Sequence, residues 1–385
     1  MTDKGTIIYL GRYEMPDKDA TANRVLSNGK IFKELGYNVV FIGWNKSLVW
    51  KTEIDKKPVI YNGFDCWEFP VPHKKEEHFF LLKDAQRIKQ IIDKYPNTKM
   101  LIAYNYPAIA LSRINKLCKK RRIKCVADIT EWYGSGSKGL LIQTIRTLDT
   151  FWRMRFVHKR LDGHIVISDY LWDYYSSVKI ETIKLPPLVD LSLPKWYNKK
   201  KDKENSGKTT LVYAGSPCAK KERLDLLVRA IIKVGAFKLN VVGITKDEFL
   251  KMYPQKQHKD YNDIDNTVRF YGRINHIEAL ENVKNADYSV IIRENNRITK
   301  AGFPTKFVES ISCGTPVITS KNSDVEDYII SGKNGYTVSL ENLEQDLMII
   351  KENMACIDFD RTLFDYKKYI KLTDRFLNNV LNNNI

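Results

Sequence analysis

A chain of 385 residues has the length of two ordinary domains, and 43% apolar content is enough to give each a core. No apolar run approaches the ~18 residues of a membrane span, the opening MTDKGTIIYLG lacks a signal peptide's basic start and long apolar stretch, and six scattered cysteines without C-x-x-C, with six histidines lacking H-E-x-x-H, read as reduced cytoplasmic thiols, not zinc ligands. The net charge of +17 is uneven, +11 up to Asp190 and +6 beyond, and suits a polyanionic partner such as a nucleotide, a phospholipid surface or nucleic acid.

Residues 6–11 (TIIYLG) read as a first strand, RYEMPDKDATANR as a loop, residues 25–35 as a helix closed by Gly36, and residues 38–44 as a second strand. That opening fits a doubly wound parallel sheet. Residues 64–71 and 100–105 are further expected strands around a polar helical stretch, 74–94, and Tyr104 to Pro107 fall at a strand end, where open α/β sheets place ligands. The strand expected at 124–129 leads into Thr130-Glu131-Trp132-Tyr133. GSGSKG at 134–139 spells G-x-G-x-x-G but comes too late after its strand to be a dinucleotide fingerprint, and reads as a loop.

Residues 140–161 interleave Arg146, Arg153, Arg155, Lys159 and Arg160 with Leu140, Ile142, Ile145, Leu148, Phe151, Trp152 and Phe156. Such a helix lies in a membrane interface or packs on a core with a solvated basic face. A strand at 163–168, a helix at 170–176 and an extended stretch at 183–190 complete the first half, and the polar, charged residues 191–208 read as a linker. The second half opens with a strand at 210–215, then Ser216 to Lys221 with paired lysines before a helix starting near Leu224, a phosphate-site pattern. Strands are expected at 238–243, 268–273, 288–292 and 316–319. Between the last two run a loop, 294–305, and a short helix, 306–312, ended by Gly314. The unpaired N–H groups and dipole of that helix favour a phosphate, Lys306 adds a cation, and Glu309 one turn on is placed for ribose hydroxyls.

At these residues a resemblance emerges. G-F-P-T-K-F-V-E-S-I-S-C-G-T-P-V-I, from Gly302, resembles the nucleotide-sugar signature of family-4 glycosyltransferases, of bacterial surface-polysaccharide type. The resemblance implies an α/β, GT-B fold: two Rossmann-like domains facing a central cleft. It implies an acceptor-side domain over 1–190, the linker 191–208, a nucleotide-sugar domain over 209–363, and a terminal helix, 364–385, that by analogy crosses back to the first domain. Glu309 falls on the family's ribose-binding glutamate, while the family's other glutamate is replaced by Ala301, with Arg293 or Glu294 as substitutes just upstream. Gly302, Phe303, Pro304, Thr305 and Lys306 would line the donor. Lys220 or Lys221 matches the diphosphate lysine, Ser216 stands where an arginine is common, and Arg273 and Ile274 would meet the base. In the first half the implied contacts are the DATANR segment with Asn23 and Arg24, and Asp128, Glu131 and Trp132 toward the acceptor and the reacting sugar, where the carboxylate of Asp128 or Glu131 would orient the acceptor hydroxyl or take its proton.

The implied activity is retaining transfer of a sugar from a nucleoside-diphosphate sugar, UDP-linked by family habit, to a hydroxyl of a saccharide or lipid-linked acceptor in surface-glycan synthesis. No cofactor or metal is expected: Lys220, Lys221, Lys306 and the backbone of residues 302–305 would stabilise the leaving diphosphate. The D-x-D triplets beginning at Asp17, Asp263 and Asp358 read as surface charge. The expected place is the cytoplasm, with the basic helix as a candidate peripheral contact to the anionic inner face of the membrane and no nucleic-acid partner. Two other readings stand beside this one: a nucleotide-sugar epimerase, and a catalytically weak binding or assembly subunit suggested by Ala301.

Overall fold

The structure, a computed structural model, describes residues 3–16, 18–83, 85–132, 140–197, 208–219, 221–254, 261–321, 324–354 and 359–382. The chain divides into two compact units, Met1–Val189 with Asp365–Ile385, and Asp190–Phe364.

The first unit is built on β1 (Thr6–Gly11), β2 (Asn38–Asn45), β3 (Val59–Tyr61), β4 (Phe64–Pro70), β5 (Thr98–Tyr104), β6 (Lys124–Ile129), β7 (Gly163–Val166) and β8 (Glu181–Lys184). Their order across the sheet is β3-β4-β2-β1-β5-β6-β7-β8. All neighbours are parallel except β3 and β4. Near-continuous apolar runs such as TIIYLG form the central strands because helices cover both faces, so each side chain needs an apolar neighbour. The β3–β4 hairpin turns on Asn62 and Gly63, both at positive φ, 51° and 74°, the demand of a tight hairpin turn that Asn-Gly meets.

The helix after β1 spans Ala20–Glu34, earlier than the sequence suggested, because the Asp19 carboxylate accepts from Ala22 N at 2.7 Å and caps it. The polar stretch 74–94 forms two helices, Lys75–Lys83 and Gln86–Lys94. The basic amphipathic stretch is an α-helix, Leu140–Trp152, passing through a π-turn, Arg153–Val157, into a 3-10 turn, His158–Arg160. Among the described residues no helix is long and apolar enough to cross a membrane.

The second unit carries a fully parallel sheet of β9 (Thr209–Ala214), β10 (Phe237–Val242), β11 (Val268–Gly272), β12 (Tyr288–Ile291), β13 (Val317–Ser320) and β14 (Gly335–Val338), in the order β11-β10-β9-β12-β13-β14. A 3-10 turn, Asp324–Tyr328, leads into β14. The core is closed by Leu211, Phe237, Val241, Phe249, Ile318 and Leu347, all fully buried. Topology reverses at β9, which has β10 on one side and β12 on the other. A crevice therefore opens beyond the carboxyl ends of β9 and β12, where doubly wound sheets bind ligands.

The terminal segment completes the first unit. Val189 pairs with Asp365 in a parallel bridge. The helix Ile370–Asn382 then seats Phe376, Leu377 and Val380 in the core that holds Ile165 and Ile183. At Gly163 the approach is so close that a Cβ would lie 2.9 Å from Val380 Cγ2.

Candidate active site

At the switch point of the second sheet, the helix Thr305–Cys313 begins just beyond β12. Pro304 is its N-cap residue and Gly314, at φ 76°, ends it in the left-handed conformation that glycine adopts without strain. Lys306, second in the helix, sends its ammonium to Glu222 Oε1 and Tyr213 OH, 2.6 Å each, with Nζ 3.9 Å from the centroid of the Tyr213 ring. Tyr213 OH in turn donates to the other Glu222 carboxylate oxygen. Two glycines make the arrangement possible. A Cβ on Gly215, φ 135°, would sit 2.6 Å from Lys306 Cε, and one on Gly243, φ 109°, would sit 2.4 Å from Gly215 O.

Burial lowers the Lys306 ammonium below its ordinary value, partly opposed by Glu222. Burial would raise the Glu222 carboxyl, but attraction to Lys306, the hydrogen bonds and the charge of Arg293 override it and hold it below 4.5. Tyr213 is pushed well up, by burial and then by Glu222. Two cations, Lys306 and Arg293, thus act on the Glu222 carboxylate, and Lys306 does so from the first turn of a helix. Such a place favours an anion.

The loop after β9 and the loop after β12 are tied together. Glu222 and Arg293 form an antiparallel backbone bridge, Arg223 N donates to Ile292 O at 2.8 Å, and Arg223 Nη1 meets Glu294 Oε1 at 2.6 Å. Within the second loop, Asn296 caps a single helical turn, Arg297–Lys300, absent from the sequence reading. Farther along the main helix, Glu309 Oε1 lies 3.0 Å from His276 Nε2. His276 opens the helix that follows β11, so Glu309 is brought to the segment holding exposed Arg273 and half-buried Ile274.

Among the residues expected at the donor, Ser216 is exposed, and Lys221, Gly302, Thr305, Lys306 and Glu309 are half-buried at these strand and helix ends. Lys220 lies outside the described residues. Three expectations change. Glu294, a candidate catalytic carboxylate, is a tie between loops because Arg223 holds it. Phe303 turns its ring into an aromatic cluster with Phe307, Tyr328 and Phe364, at 5.7–6.1 Å between centroids, and so anchors the loop instead of touching a donor. Arg293 is buried, with its backbone N–H and carbonyl both bonded to Ser320 Oγ at 2.8 Å, and contributes charge from beneath the surface. Ala301 is fully buried. Glu222, Tyr213 and His276 were missed; a glutamate beside paired lysines was the only hint.

In the first unit the corresponding switch point lies at β1, between β2 and β5. Here Arg24 and Asp128, expected to face substrate, face each other. Arg24 Nη2 meets Asp128 Oδ1 at 2.8 Å, Nε lies 3.1 and 3.2 Å from the two carboxylate oxygens, and Nη1 donates to Leu185 O and Pro186 O at 2.8 and 3.2 Å. Tyr9 OH also donates to Asp128. Arg24 is 3% and Asp128 0% exposed, so neither is presented to a phosphate or an acceptor. Asn23, inside the capped helix, donates to Asp19 O at 3.2 Å.

Glu131 and Trp132 remain at the carboxyl end of β6, both half-buried, and Trp132 packs edge-on against Tyr170 and Tyr174, at 5.9 and 4.8 Å. Beside them Asn105 sits at φ 42°, a conformation that costs a non-glycine residue energy and is held by its bonds to Thr130. Tyr133 and the glycine-rich loop lie outside the described residues.

Residues 208–349 match the family described as glycosyl transferases group 1. No curated protein matches the chain by sequence. Among solved structures, a sucrose-phosphate synthase from Thermosynechococcus elongatus is similar over 97% of this chain and 98% of its own, at 14% identity and TM-score 0.65. HepE of Anabaena, in complex with UDP, is similar over 97% and 99%, at 14% identity and TM-score 0.64. The lipopolysaccharide outer core galactosyltransferase WaaB is similar over 97% and 99%, at 14% identity and TM-score 0.62. Residues 208–349 thus match the glycosyl transferases group 1 domain, and the chain has the two-domain, Rossmann-like GT-B fold.

Proposed function

We propose that the chain transfers a sugar from a nucleoside-diphosphate sugar, UDP-linked, to a hydroxyl of a saccharide or lipid-linked acceptor in surface-glycan synthesis, with retention of anomeric configuration. The observation that carries this reading is the Lys306 ammonium, held by Glu222 and Tyr213 in the first turn of Thr305–Cys313, beside the unpaired N–H groups of that helix end. The diphosphate is seated at that helix end, with Lys306 and Lys221 supplying charge. Among the described residues the Lys306 ammonium gives two of its three N–H groups to Glu222 and Tyr213, and the third goes to a phosphate oxygen. The ribose lies toward Glu309, which His276 orients, and the base toward Arg273 and Ile274.

As the glycosidic bond breaks, negative charge grows on the leaving diphosphate, and fixed donors in a poorly solvated site stabilise it without reorganising. The cations supply that stabilisation without a metal. Glu131 and Trp132 form the acceptor side. The HepE complex with UDP and the WaaB activity, properties of those proteins, agree with the donor and glycan classes chosen.

The test is a thermal-shift screen of UDP-, GDP- and ADP-sugars on the wild type, Lys306→Ala and Glu309→Ala. A ligand at 100 times its dissociation constant stabilises by about 2.7 kcal/mol. A UDP-sugar should stabilise the wild type and neither variant, in EDTA as well as in magnesium. Absence of any shift with the wild type would favour the binding-subunit reading that buried Ala301 suggests.

A further inference from the structure

The helix Leu140–Trp152 and the turn Arg153–Val157 use one side to join the first unit. Thr150, Arg153, Met154, Val157 and His158 are buried there, and Asp149 accepts from Ala108 N at 2.8 Å. The opposite side is unusual for a protein surface. Ile145, Leu148, Phe151, Trp152 and Phe156 are 47–62% exposed and recur at helical spacing, as one stripe. Its aromatic end is contiguous, since Phe156 lies 6.1 Å from both Phe151 and Trp152 between ring centroids.

Cations border this stripe. Arg146, Arg155, Lys159 and Arg160 are exposed, and Arg155 lies over the Phe151 ring at 4.4 Å. The run 143–160 contains one acidic residue, Asp149, already engaged with Ala108 N and near Arg153. The helix packed beside it, Ala108–Lys120, has no acidic residue and exposes Ile109, Arg113, Lys116, Lys119 and Lys120. Arg153, counted among the basic residues from sequence, is not part of this face, because it is buried and donates to Asn105 O.

We propose that this face is a docking surface for an anionic lipid bilayer, with Trp152, Phe151 and Phe156 entering the headgroup boundary and the bordering cations meeting lipid phosphates. Apolar rings bordered by exposed positive charge have the chemistry of interfacial helices. A second copy of the same face would bring like charges together. Docking goes beyond the proposed transfer and requires neither donor nor acceptor, so vesicle binding and donor binding succeed or fail separately.

The experiment is flotation with vesicles of phosphatidylcholine alone or with 30 mol% phosphatidylglycerol, roughly the anionic content needed for a substantial surface potential. Wild type should float with the anionic vesicles. Trp152→Ser/Phe156→Ser and Arg155→Glu/Lys159→Glu should each lower the bound-to-free ratio by about tenfold or more, with the UDP-sugar thermal shift unchanged. Leu148→Ser serves as a milder variant should either double exchange fail to fold. Variants that float as well as wild type, a wild type that does not float, equal binding to neutral vesicles, or a dimer dissolved by the serine exchanges without any change in flotation would overturn the proposal.

Discussion

Replacing Asp128 by Asn separates a structural carboxylate from a catalytic one. The exchange keeps the shape and removes the charge, leaving the Arg24 guanidinium, 3% exposed, without its anion. Three close contacts join the pair, at 2.8, 3.1 and 3.2 Å, and the rest of the guanidinium is tied to Leu185 O and Pro186 O. The loss therefore reaches from β1's helix to the chain leaving the first unit. Breaking one partner of such a buried pair costs about 3–5 kcal/mol, and a unit of this size loses about 2–4 °C of Tm per kcal/mol. A fall of about 6–20 °C in the first unit's transition is expected, with Arg24→Met/Asp128→Leu recovering part of it. Thermal and urea denaturation supply the numbers, and the UDP-sugar shift proposed for the second unit should persist. If Asp128→Asn melted within about 1 °C of wild type while turnover disappeared, the structural assignment would be refuted and Asp128 would act on substrate.

Gly215→Ala should cost about 1–3 kcal/mol, because φ 135° is foreign to alanine and the new methyl displaces Lys306 from Glu222; a melt that falls without loss of the donor shift would show that Lys306 does not need this path. Acid should weaken the first unit through its buried histidines. Burial lowers His164 to about 4 and holds His158 well below 6.5, with Arg153 adding to the latter. Between pH 6.5 and about 4 the unfolded chain binds protons that the folded chain refuses, so stability falls as pH falls, by about 3 kcal/mol for His164 alone. Urea midpoints at pH 7, 5.5 and 4.5 should drop steeply for wild type and less for His164→Gln; parallel curves would remove His164 from the explanation.

Much of the second sheet was legible because its strands are short apolar runs, such as TLVYAG, punctuated by glycine. The signature helix was equally plain, since its glycine terminator and the lysine and glutamate three residues apart are local features. What was lost was long-range pairing. Arg24 looked like a loop cation because the Asp19 cap was not recognised, and nothing near it in sequence names Asp128 as its partner. Lys306 looked like a free cation because Glu222, 84 residues away, is joined to it only by the adjacency of β9 and β12. Phe303 and Phe307 share an apolar spacing that suits a donor pocket or a core, and only packing against Tyr328 and Phe364 decides between them. The β3–β4 hairpin carried its own signal in Asn62-Gly63, overlooked because strands of three residues leave little pattern.

The bridge between Val189 and Asp365 makes the first unit a vessel closed by its last piece. Its sheet is complete once β8 has been made, but the face at Gly163 and Ile183 stays open until Phe376, Leu377 and Val380 arrive. The intervening unit, Asp190–Phe364, is about 175 residues long, which at 5–20 residues per second is roughly 10–35 s of synthesis. During that interval the second unit, contiguous in sequence, is free to finish first. The half of the molecule made first is therefore the half completed last, and its uncovered apolar face is what a chaperone would meet on the ribosome.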